Sequence, residues 1–274
     1  MNPQKYSLTF ACYNQVDYTR QCIDSMVRTG LDLGRVVAVD NGSTDDTRAY
    51  LRSLPLGGVI LNQGNLGCGV AWNQGALAQQ AEWTVVMNND VLVSAGWIEN
   101  LIDTAERHGL KMISPAMVEG KLDYDFDAFA AETSIKMKDA LRVGSCHAVC
   151  VAIHQSVWME IGYFQPVPKL LGFEDTMFFN QAEQAGIAVG TTGASWLHHY
   201  GSVTQTAMKQ EKGLTAKDSL ANRYNYRLLR QSWLERKLKK RARNQRQKAW
   251  REAEVARYGM SLHGQREHGG FVWV

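Results

Sequence analysis

The sequence predicts an α/β protein in which helices cover both faces of a mostly parallel sheet. Short β-branched apolar runs alternate with helix-like stretches along residues 6–87, which is the order of a parallel sheet with helical crossovers. Polar residues follow three of these runs, at the positions where such sheets bind ligands. The 274 residues, 45% of them hydrophobic, suffice for one large domain with or without an appendage.

The first four apolar runs have the pattern of strands, and helices are expected between them. Residues 6–11 (YSLTFA) open the chain as a strand, and the helix at 19–29 carries Cys22, Ile23, Met26 and Val27 on one face. Cap-type residues at 43–46 precede the next helix. The other elements of this part are strands at 36–40, 58–62 and 83–87 and helices at 44–54 and 69–81.

Beyond residue 90 the alternation becomes less regular. Residues 112–118 and 147–153 have the composition of strands, whereas residues 119–142 show no clear period. Gly186 is a natural residue to follow a helix at 175–185, because that position often adopts a left-handed conformation. Further helices are expected at 97–108, at 155–161 and, as a long C-terminal extension, at about 220–257.

Cysteine usage and charge argue against several classes of protein. The five cysteines are odd in number and no pair has CxxC spacing, which disfavours a zinc site or a disulfide framework and favours thiols in a reducing cytoplasm. The formal net charge of +3 is too small to indicate a nucleic-acid partner by itself. We expect no signal peptide, and the apolar runs are too short to span a bilayer.

Three polar clusters follow predicted strands and therefore share one edge of the predicted sheet. They are Tyr13-Asn14, residues 40–47 (DNGSTDDT) and residues 88–90 (NND). An acid at a strand end, such as Asp40, can accept a hydrogen bond from a ribose hydroxyl or a base N–H. A helix-capping turn explains the same residues equally well from local pattern alone.

Asp90 is the natural candidate for a metal ligand in this edge. A divalent cation prefers oxygen ligands and would bridge a diphosphate. Only one carboxylate is present, because position 88 is Asn. A polar turn is the simpler explanation of an isolated NND triplet.

Two later segments also carry groups that can do chemistry. Glu174 and Asp175 open a helix, where they are either favourable charges at its N-terminus or a general base for an acceptor hydroxyl. His198 and His199 follow an apolar stretch. Paired histidines occur at interfaces, and an imidazole can also complete a metal shell.

Taken in order, these segments resemble the inverting glycosyltransferase family 2, which has the GT-A fold. The resemblance covers about residues 6–204 and depends on order and spacing rather than on one motif. The segments that carry it are Tyr13-Asn14, the helix with CIDSM at 22–26, VDNGSTDDT ending at 47, NQGNLGCGVAWNQGA at 62–76, MNND at 87–90, GFEDTMFFNQAEQAG at 172–186 and HHYGSVT at 198–204.

The resemblance implies a role for each matching residue. Asp175 would be the catalytic base, with Glu174 supporting it or bound to the acceptor. Asp90 would bind Mg²⁺ or Mn²⁺, and His199 matches the family's late histidine better than His198 does. Donor binding would fall to Tyr13, Asn14, Asp40, Asn41, Ser43, Asn65, Gly67, Asn73, Asn88 and Asn89, of which Asp40 would contact the base or ribose.

One departure from the family pattern concerns the metal motif. Asn88 stands where the family has the first acid of its DxD motif. This NND variant is similar to rhamnosyltransferase-like members of the family, which use UDP- or dTDP-linked donors. The expected function is therefore inverting transfer of a sugar to a glycan or lipid-linked acceptor in surface polysaccharide or glycoconjugate biosynthesis. The alternative is a non-catalytic module that binds a nucleotide sugar or a glycan.

The C-terminal part has a strongly basic stretch. Residues 236–251 hold nine Lys or Arg and no acid, after a seam of apolar residues that includes Leu220, Tyr224 and Leu228 at helical spacing. Three interpretations remain open: a helix docked on the catalytic domain with a solvated basic face, a peripheral contact with an anionic membrane surface, and, least favoured, RNA binding. The final HGGFVWV is apolar enough to pack onto a neighbour in a homo-oligomer.

These expectations divide the chain into two parts. Residues 1–207 would form the GT-A domain, with the nucleotide part at about 1–118 and the acceptor part at about 119–207. Residues 208–274 would form a basic helical extension. The protein is expected in the cytoplasm, either free or bound peripherally to the inner face of the membrane.

Overall fold

A single mixed sheet of eleven strands organises the fold, with helices on both faces. The computed structural model describes residues 4–167, 170, 172–215, 218 and 232–274. The strands are β1 (Tyr6–Cys12), β2 (Val36–Asp40), β3 (Gly58–Leu61), β4 (Trp83–Asn88), β5 (Val91–Val93), β6 (Met112–Gly120), β7 (Leu141–Val143), β8 (Cys150–His154), β9 (Val189–His199), β10 (His263–Glu267) and β11 (Gly270–Trp273). The helices are α1 (Val16–Arg28), α2 (Thr47–Arg52), α3 (Cys68–Ala78), α4 (Trp97–His108), α5 (Phe126–Lys136), α6 (Gln155–Ile161), α7 (Glu174–Gln184), α8 (Val203–Lys212) and α9 (Trp233–Tyr258).

The N-terminal strands form the parallel part of the sheet, as predicted. Their order is β4-β1-β2-β3, and every pair among them is parallel. Cys12 pairs with Asp40 and Ala11 pairs with Asn88, so the three strands end at the same edge. The polar clusters that follow β1, β2 and β4 are thereby brought together.

The other half of the sheet is mixed rather than parallel. β8 runs antiparallel between β4 and β6, while β6 pairs in parallel with both β9 and β10. β10 and β11 form an antiparallel hairpin at the end of the strand order. The predicted α/β class with a helical C-terminal element is confirmed, and the antiparallel β8 is the feature that strand composition alone did not reveal.

Alternating residues of the parallel strands bury against two layers of helices. Val36 and Ala38 pack with α1 and α4, whereas Val37 and Val39 pack with α3, α6 and α7. This alternation is the expected consequence of covering both faces of a sheet. Of the predicted α1 stripe, Cys22, Ile23 and Met26 are buried, but Val27 is exposed because it lies just beyond the contact with the sheet.

Helix α3 lies unusually close to the sheet. A Cβ added to Gly75 would lie 1.8 Å from the Thr9 hydroxyl oxygen on β1. Glycine is therefore required here, since any larger residue would push the helix away from the strand. The approach of α3 fixes the position of the loop that precedes it, which belongs to the site described below.

Several regions differ from the sequence expectation. Residues 119–142, which show no period, contain α5, capped by Asp125 accepting from the Ala128 amide at 3.0 Å, and β7. The strand expected at 147–153 begins at Cys150. The long C-terminal helix begins at Trp233 with a Ser232–Glu235 capping box, while residues 219–231, with Leu220, Tyr224 and Leu228, lie outside the described residues. The terminal apolar segment forms β11, whose Phe271 and Trp273 pack within the chain.

None of the helices in the described part of the chain combines the length and the apolar composition that a bilayer crossing needs.

Candidate active site

A cavity of about 500 Å³ opens at the edge where the parallel strands end. This volume is in the range of small-molecule sites. Of the predicted site residues, nine line it: Tyr13, Asn41, Asn65, Asn88, Asn89, Asp90, Glu174, Asp175 and His199. The sequence clusters that lie far apart along the chain therefore meet in one place.

The loops after β2 and β3 are joined by side-chain amides. The Asn41 amide nitrogen donates to the Asn65 side-chain oxygen at 3.0 Å and to the Gly67 carbonyl at 3.1 Å. The Gly67 amide in turn donates to the Asn65 side-chain oxygen at 2.9 Å. Gly67 has φ 90°, a conformation that favours glycine. The network holds Asn41 and Asn65 at the cavity wall.

Asp40 does not line the cavity. Its side chain is fully buried and accepts from Arg48 Nε at 2.7 Å and from the Ser43 amide at 3.2 Å. The carboxylate is thus satisfied within the protein and orders the turn that carries Asn41. Asp40 therefore supports the turn after β2 and is not the cap of α2, whose N-cap is Asp46, while contact of Asp40 with a donor stays a prediction.

Three other predicted donor residues also lie behind the cavity wall. Ser43 accepts from the Asn14 amide at 2.8 Å, and Asn14 accepts from the Thr44 amide at 2.8 Å, which joins the ends of β1 and β2. Asn73 donates to the Phe164 carbonyl at 2.7 Å and accepts from the Phe164 amide at 3.1 Å. Asn14, Ser43 and Asn73 therefore support the loops rather than face the cavity.

Helix α8 closes the donor side of the cavity. The Tyr13 hydroxyl donates to Glu211 at 2.8 Å, and Lys212 lies 5.2 Å from the Tyr13 ring centre. Met208 and Gln205 from the same helix line the cavity. No helix was predicted at residues 203–212, so α8 is an unexpected part of the site.

Asp90 and His199 form a buried pair at the cavity. Their side chains are at most 5% exposed, and His199 Nε2 lies 3.4 Å from Asp90 Oδ1. The pairing of β5 with β9 sets Val91 opposite His199, which places the preceding Asp90 next to the imidazole. Two residues about a hundred positions apart are thus made neighbours by strand register.

A second carboxylate holds the other side of the His199 ring. Glu119 Oε1 lies 3.5 Å from His199 Nδ1, and Glu119 Oε2 lies 3.6 Å from Nε2 of His263 on β10. Burial by itself would lower the pKa of His199, but the carboxylates of Asp90 and Glu119 outweigh it and raise that pKa to about 9. The two histidines hold the pKa of Glu119 well below its usual range.

His198 is turned away from this cluster. Its Nδ1 lies 3.0 Å from the Tyr124 hydroxyl, and Tyr124 and Tyr200 pack edge-on against its ring. Burial lowers its pKa to about 4. Of the two adjacent histidines, His199 is the one at the cavity.

Glu174 and Asp175 begin α7 and both reach the cavity, in different surroundings. Glu174 packs against Gly69 at the start of α3 and is only 6% exposed, and burial raises its pKa. Asp175 is partly exposed and accepts from the Thr176 amide at 2.6 Å. Phe173, with φ 96°, turns the chain into the helix.

The Asp90–His199 pair offers a divalent cation two ligands but not a complete coordination shell. Each buried ring nitrogen of His199 faces a carboxylate, Asp90 at 3.4 Å and Glu119 at 3.5 Å, without meeting hydrogen-bond geometry among the described residues. A carboxylate and an imidazole whose second nitrogen faces another carboxylate is a common metal-ligand arrangement. Among the described residues no group of three or more His, Cys, Asp or Glu forms a complete set of ligands, so a cation here would need oxygens from a diphosphate or water.

Several cavity residues come from segments that sequence analysis did not single out. The loop between β7 and β8 contributes Cys146 and His147, and α9 contributes Arg243. Glu119 is not part of the cavity lining but contacts His199, and its place directly after the predicted strand at 112–118 is the signal that could have marked it. The others depend on how distant segments pack, which no local pattern encodes.

Comparisons with known proteins agree with this geometry. The family model described as "Glycosyl transferase family 2" matches residues 7–162. A curated relative from Bacillus subtilis (strain 168), named "Putative glycosyltransferase EpsH", is 26% identical over 108 residues, which cover 38% of this chain and 31% of the relative. The chain thus spans about a third of that relative's length.

Solved glycosyltransferase structures share the fold at low identity. GalNAc-T7, solved with UDP, GalNAc and Mn²⁺, gives a TM-score of 0.55 at 15% identity over 72% of this chain and 44% of its own. The mannosyltransferase PcManGT from Pyrobaculum calidifontis, solved with GDP-Man and Mn²⁺, gives 0.55 at 17% identity over 73% and 57%. S. aureus TarS 1-349, solved with UDP-GlcNAc, gives 0.54 at 16% identity over 74% and 61%.

These structural likenesses show the fold alone, and they agree with a GT-A arrangement of the mixed sheet and its helices. The family match is independent of them and spans more than half of the chain, including the ends of β1, β2 and β4 that form the cavity. The chain therefore belongs to glycosyltransferase family 2, whose members transfer sugars.

Proposed function

We propose that this protein transfers a sugar, with inversion, from a UDP- or dTDP-linked donor to a hydroxyl of a glycan or lipid-linked acceptor. The observation that carries the proposal is that Asp175 and the Asp90–His199 pair line one cavity at the ends of the parallel strands. Inverting displacement needs no enzyme nucleophile. It needs positioning, a base and stabilisation of the leaving diphosphate.

The donor nucleoside would bind on the β1–β2 side of the cavity. Tyr13 offers an aromatic face, and Asn41 and Asn65 offer amides that the loop network orients. Asn88 and Asn89 lie at the end of β4, nearer the reacting bond. Asp40, Asn14, Ser43, Gly67 and Asn73 would act by holding these loops in place.

Asp175 is the better candidate for the general base. It is partly exposed at the cavity, so a carboxylate oxygen can accept a proton from an acceptor hydroxyl. Glu174 is buried against Gly69, and burial raises its pKa, which favours a supporting role. The N-terminus of α7 stabilises negative charge on both side chains.

Asp90 and His199 would hold Mg²⁺ or Mn²⁺, with Glu119 orienting the imidazole. When bound, such a cation neutralises charge on the departing diphosphate. GalNAc-T7 and PcManGT, which share the fold, were solved with Mn²⁺ and with nucleotides or nucleotide sugars, and this supports the same assignment here. The buried arrangement of Asp90 beside one His199 ring nitrogen and Glu119 beside the other supports it from within this chain.

The biological setting that we propose is surface polysaccharide or glycoconjugate assembly. The expected boundary after residue 207 falls inside α8, so residues through Lys212 would carry the transfer chemistry, and the C-terminal part would complete the sheet through β10 and supply α9. The basic face of α9 supports a peripheral position at the inner, anionic surface of a cytoplasmic membrane.

A donor screen followed by two variants tests the proposal. Thermal shift with a panel of UDP-, dTDP- and GDP-sugars, with and without Mn²⁺, should raise the melting temperature for one nucleotide class. Asp175→Asn should then reduce transfer by about a hundredfold or more with little change in donor affinity. Asp90→Ala should weaken donor binding only when Mn²⁺ is present.

Matched controls separate loss of chemistry from loss of fold. Asp46→Asn changes an exposed acid outside the cavity and should leave transfer and donor affinity unchanged. Full transfer by both Asp175→Asn and Asp90→Ala would overturn the assignment. Donor binding with no transfer to any acceptor by the unaltered protein would favour a non-catalytic binding module instead.

A further inference from the structure

Arg243 of α9 is a cation at the cavity that the sugar-transfer chemistry above does not use. It is the only Lys or Arg among the described residues that line the cavity, which also holds the carboxylates of Asp90, Glu174 and Asp175. No carboxylate of the described ranges lies within ion-pair distance of its guanidinium. An Arg at the wall of a ligand cavity without a protein partner is available for an anionic ligand.

The position of Arg243 is set by the docking of α9. Arg246, Trp250 and Glu254 follow Arg243 at intervals of three, four and four residues, which places all four on one face of the helix. Glu254 on this face accepts two hydrogen bonds from Arg142 of β7, at 2.6 and 2.7 Å, and both side chains are nearly buried. The face that carries Arg243 is therefore anchored to the sheet.

Arg246 shows where α9 passes the loop between β7 and β8. A Cβ added to Gly144 would lie 3.9 Å from Nη1 of Arg246, so that side chain reaches the loop between β7 and β8. The same loop supplies Cys146 and His147 to the cavity wall. Arg243 lies one helical turn beyond Arg246, and it meets the cavity near this loop.

This loop lies on the side of the cavity away from the donor loops. In the strand order β6-β8-β4-β1-β2, the loop precedes β8, while Tyr13, Asn41 and Asn65 follow or adjoin β1, β2 and β3. β4, with Asn88 at its end, separates the two sides. A donor nucleoside on the β1–β2 side leaves the β8 side for the acceptor.

We propose that Arg243 binds an anionic group of the acceptor, either a phosphate or a carboxylate. The proposal rests on the proposed function and narrows its acceptor to an acidic compound, such as a lipid phosphate or a glycan that contains a uronic acid. The planar guanidinium can donate two parallel hydrogen bonds to either kind of oxyanion. It would bring the acceptor into a cavity whose other charged groups, apart from His199, are acids.

The test measures binding of matched probes to the full chain saturated with Mn²⁺ and the nucleoside diphosphate that the donor screen identifies. Geranyl phosphate is compared with geraniol, and methyl glucuronide with methyl glucoside, by calorimetry. We expect one anionic probe to bind about tenfold or more tightly than its neutral partner, since hydrogen bonds between charged groups are worth that much. The arm that shows the preference identifies phosphate or carboxylate as the acceptor anion.

Arg243→Gln should abolish this preference and Arg243→Lys should retain part of it. The matched control is Arg241→Gln, which removes the same charge two residues away, about 200° around the helix, and should keep the full preference. Nucleoside diphosphate affinity should be unchanged in all variants. Circular dichroism melts confirm that each variant is folded.

Three results would overturn the inference. They are no anionic preference in the unaltered protein, an equal loss in Arg243→Gln and Arg241→Gln, and a loss of nucleoside diphosphate affinity in Arg243→Gln, which would place Arg243 on the donor. Failure of the proposed function would be seen separately, as no nucleotide binding in the donor screen or as full transfer by Asp175→Asn together with Asp90→Ala.

Discussion

The two sides of the cavity are built from different kinds of contact. On the donor side, the bonds that shape the loops join residues between 13 and 67, as in Asn14 with Ser43 and Asn41 with Asn65, and α8 closes over them through Glu211. On the other side, Asp90, His199, Glu119 and His263 meet although they are spread over most of the chain. The donor loops are shaped by local turns and are then closed by α8, whereas the metal and acceptor wall is a product of strand register and late packing.

This difference predicts how each side responds to mutation. A change in the donor wall should disturb one loop, whereas a change in the other wall should be felt by elements that are remote in sequence. The following predictions test this contrast, from the largest expected effect to the smallest.

Arg142→Ala should destabilise the whole chain by about 3 kcal/mol, because it leaves Glu254 buried without its partner. The Ser261 hydroxyl, at 2.6 Å from Arg142, loses its donor as well. Urea unfolding followed by tryptophan fluorescence measures the loss, and Arg241→Ala, an exposed change in α9, should stay within about 0.5 kcal/mol. A separate, earlier transition for the C-terminal residues with the main transition unmoved would show instead that this wall is an independent appendage.

Asp40→Asn should destabilise the donor side by about 2 kcal/mol. The buried carboxylate is the partner of Arg48 and the acceptor for the turn, but Arg48 is partly exposed, so the cost is smaller than for a fully buried pair. Asp46→Asn, at an exposed position in the same segment, should change little. An unchanged stability with a large loss of nucleotide affinity would show that Asp40 contacts the donor directly.

Glu119→Gln should weaken Mn²⁺ binding about tenfold, because the neutral amide no longer orients and polarises His199. Electron paramagnetic resonance of free Mn²⁺ gives this affinity without any turnover. Asp123→Asn removes an acid that pairs with Arg266 on the surface and should leave Mn²⁺ affinity unchanged. Equal affinities for Glu119→Gln and the unaltered protein would separate Glu119 from the metal site.

Stability should also fall slightly in mild acid because of His147. Burial lowers its pKa to about 4, below the ordinary value of 6.5. Between these two values the imidazole is protonated in the unfolded chain and neutral in the folded chain. The contribution of neutral His147 to the free energy of unfolding is complete above pH 6.5. It is lost as the pH falls from 6.5 toward 4, by about 1 kcal/mol near pH 5.5. His147→Gln should reduce the dependence of the free energy of unfolding on pH, while His198, whose pKa burial also lowers to about 4, keeps its own share. The exposed His108→Gln should not, and equal slopes for both variants would contradict the assignment.

The contrast between the two sides also explains what the sequence predicted. The four parallel strands and the meeting of Tyr13, Asn41 and Asn88 follow from periodicity and from the rule that parallel strands end at one edge, whereas Asn65 was implied by the family resemblance. The contact of Arg48 with Asp40 could not be predicted, because it depends on the path of the turn between them. Antiparallel β8 was hidden because its apolar composition is the same in either direction.

The site residues from the C-terminal half of the chain could be placed only once the fold was known. The pairing register of β9 with β6 shifts at Pro115 and Ala116: Pro115 pairs with Thr192, and Ala116 pairs with Trp196. Because of this shift, His199 pairs with Glu119. Nothing in the pattern of residues 189–199 marks that shift. Arg243 was hidden for a similar reason, because it is one of nine Lys or Arg in residues 236–251, and no local pattern distinguishes it from the others.

The pairing of β10 with β6 has a consequence for how the protein matures during translation. Glu119 is synthesised early, but its second histidine partner, His263, leaves the ribosome about 140 residues later. Until then the growing chain can form the donor loops, which are complete by residue 67, and not the full Asp90–His199–Glu119–His263 chain. A ribosome stalled before β10 would therefore display a polypeptide whose donor loops have formed while its four-residue cluster still lacks His263.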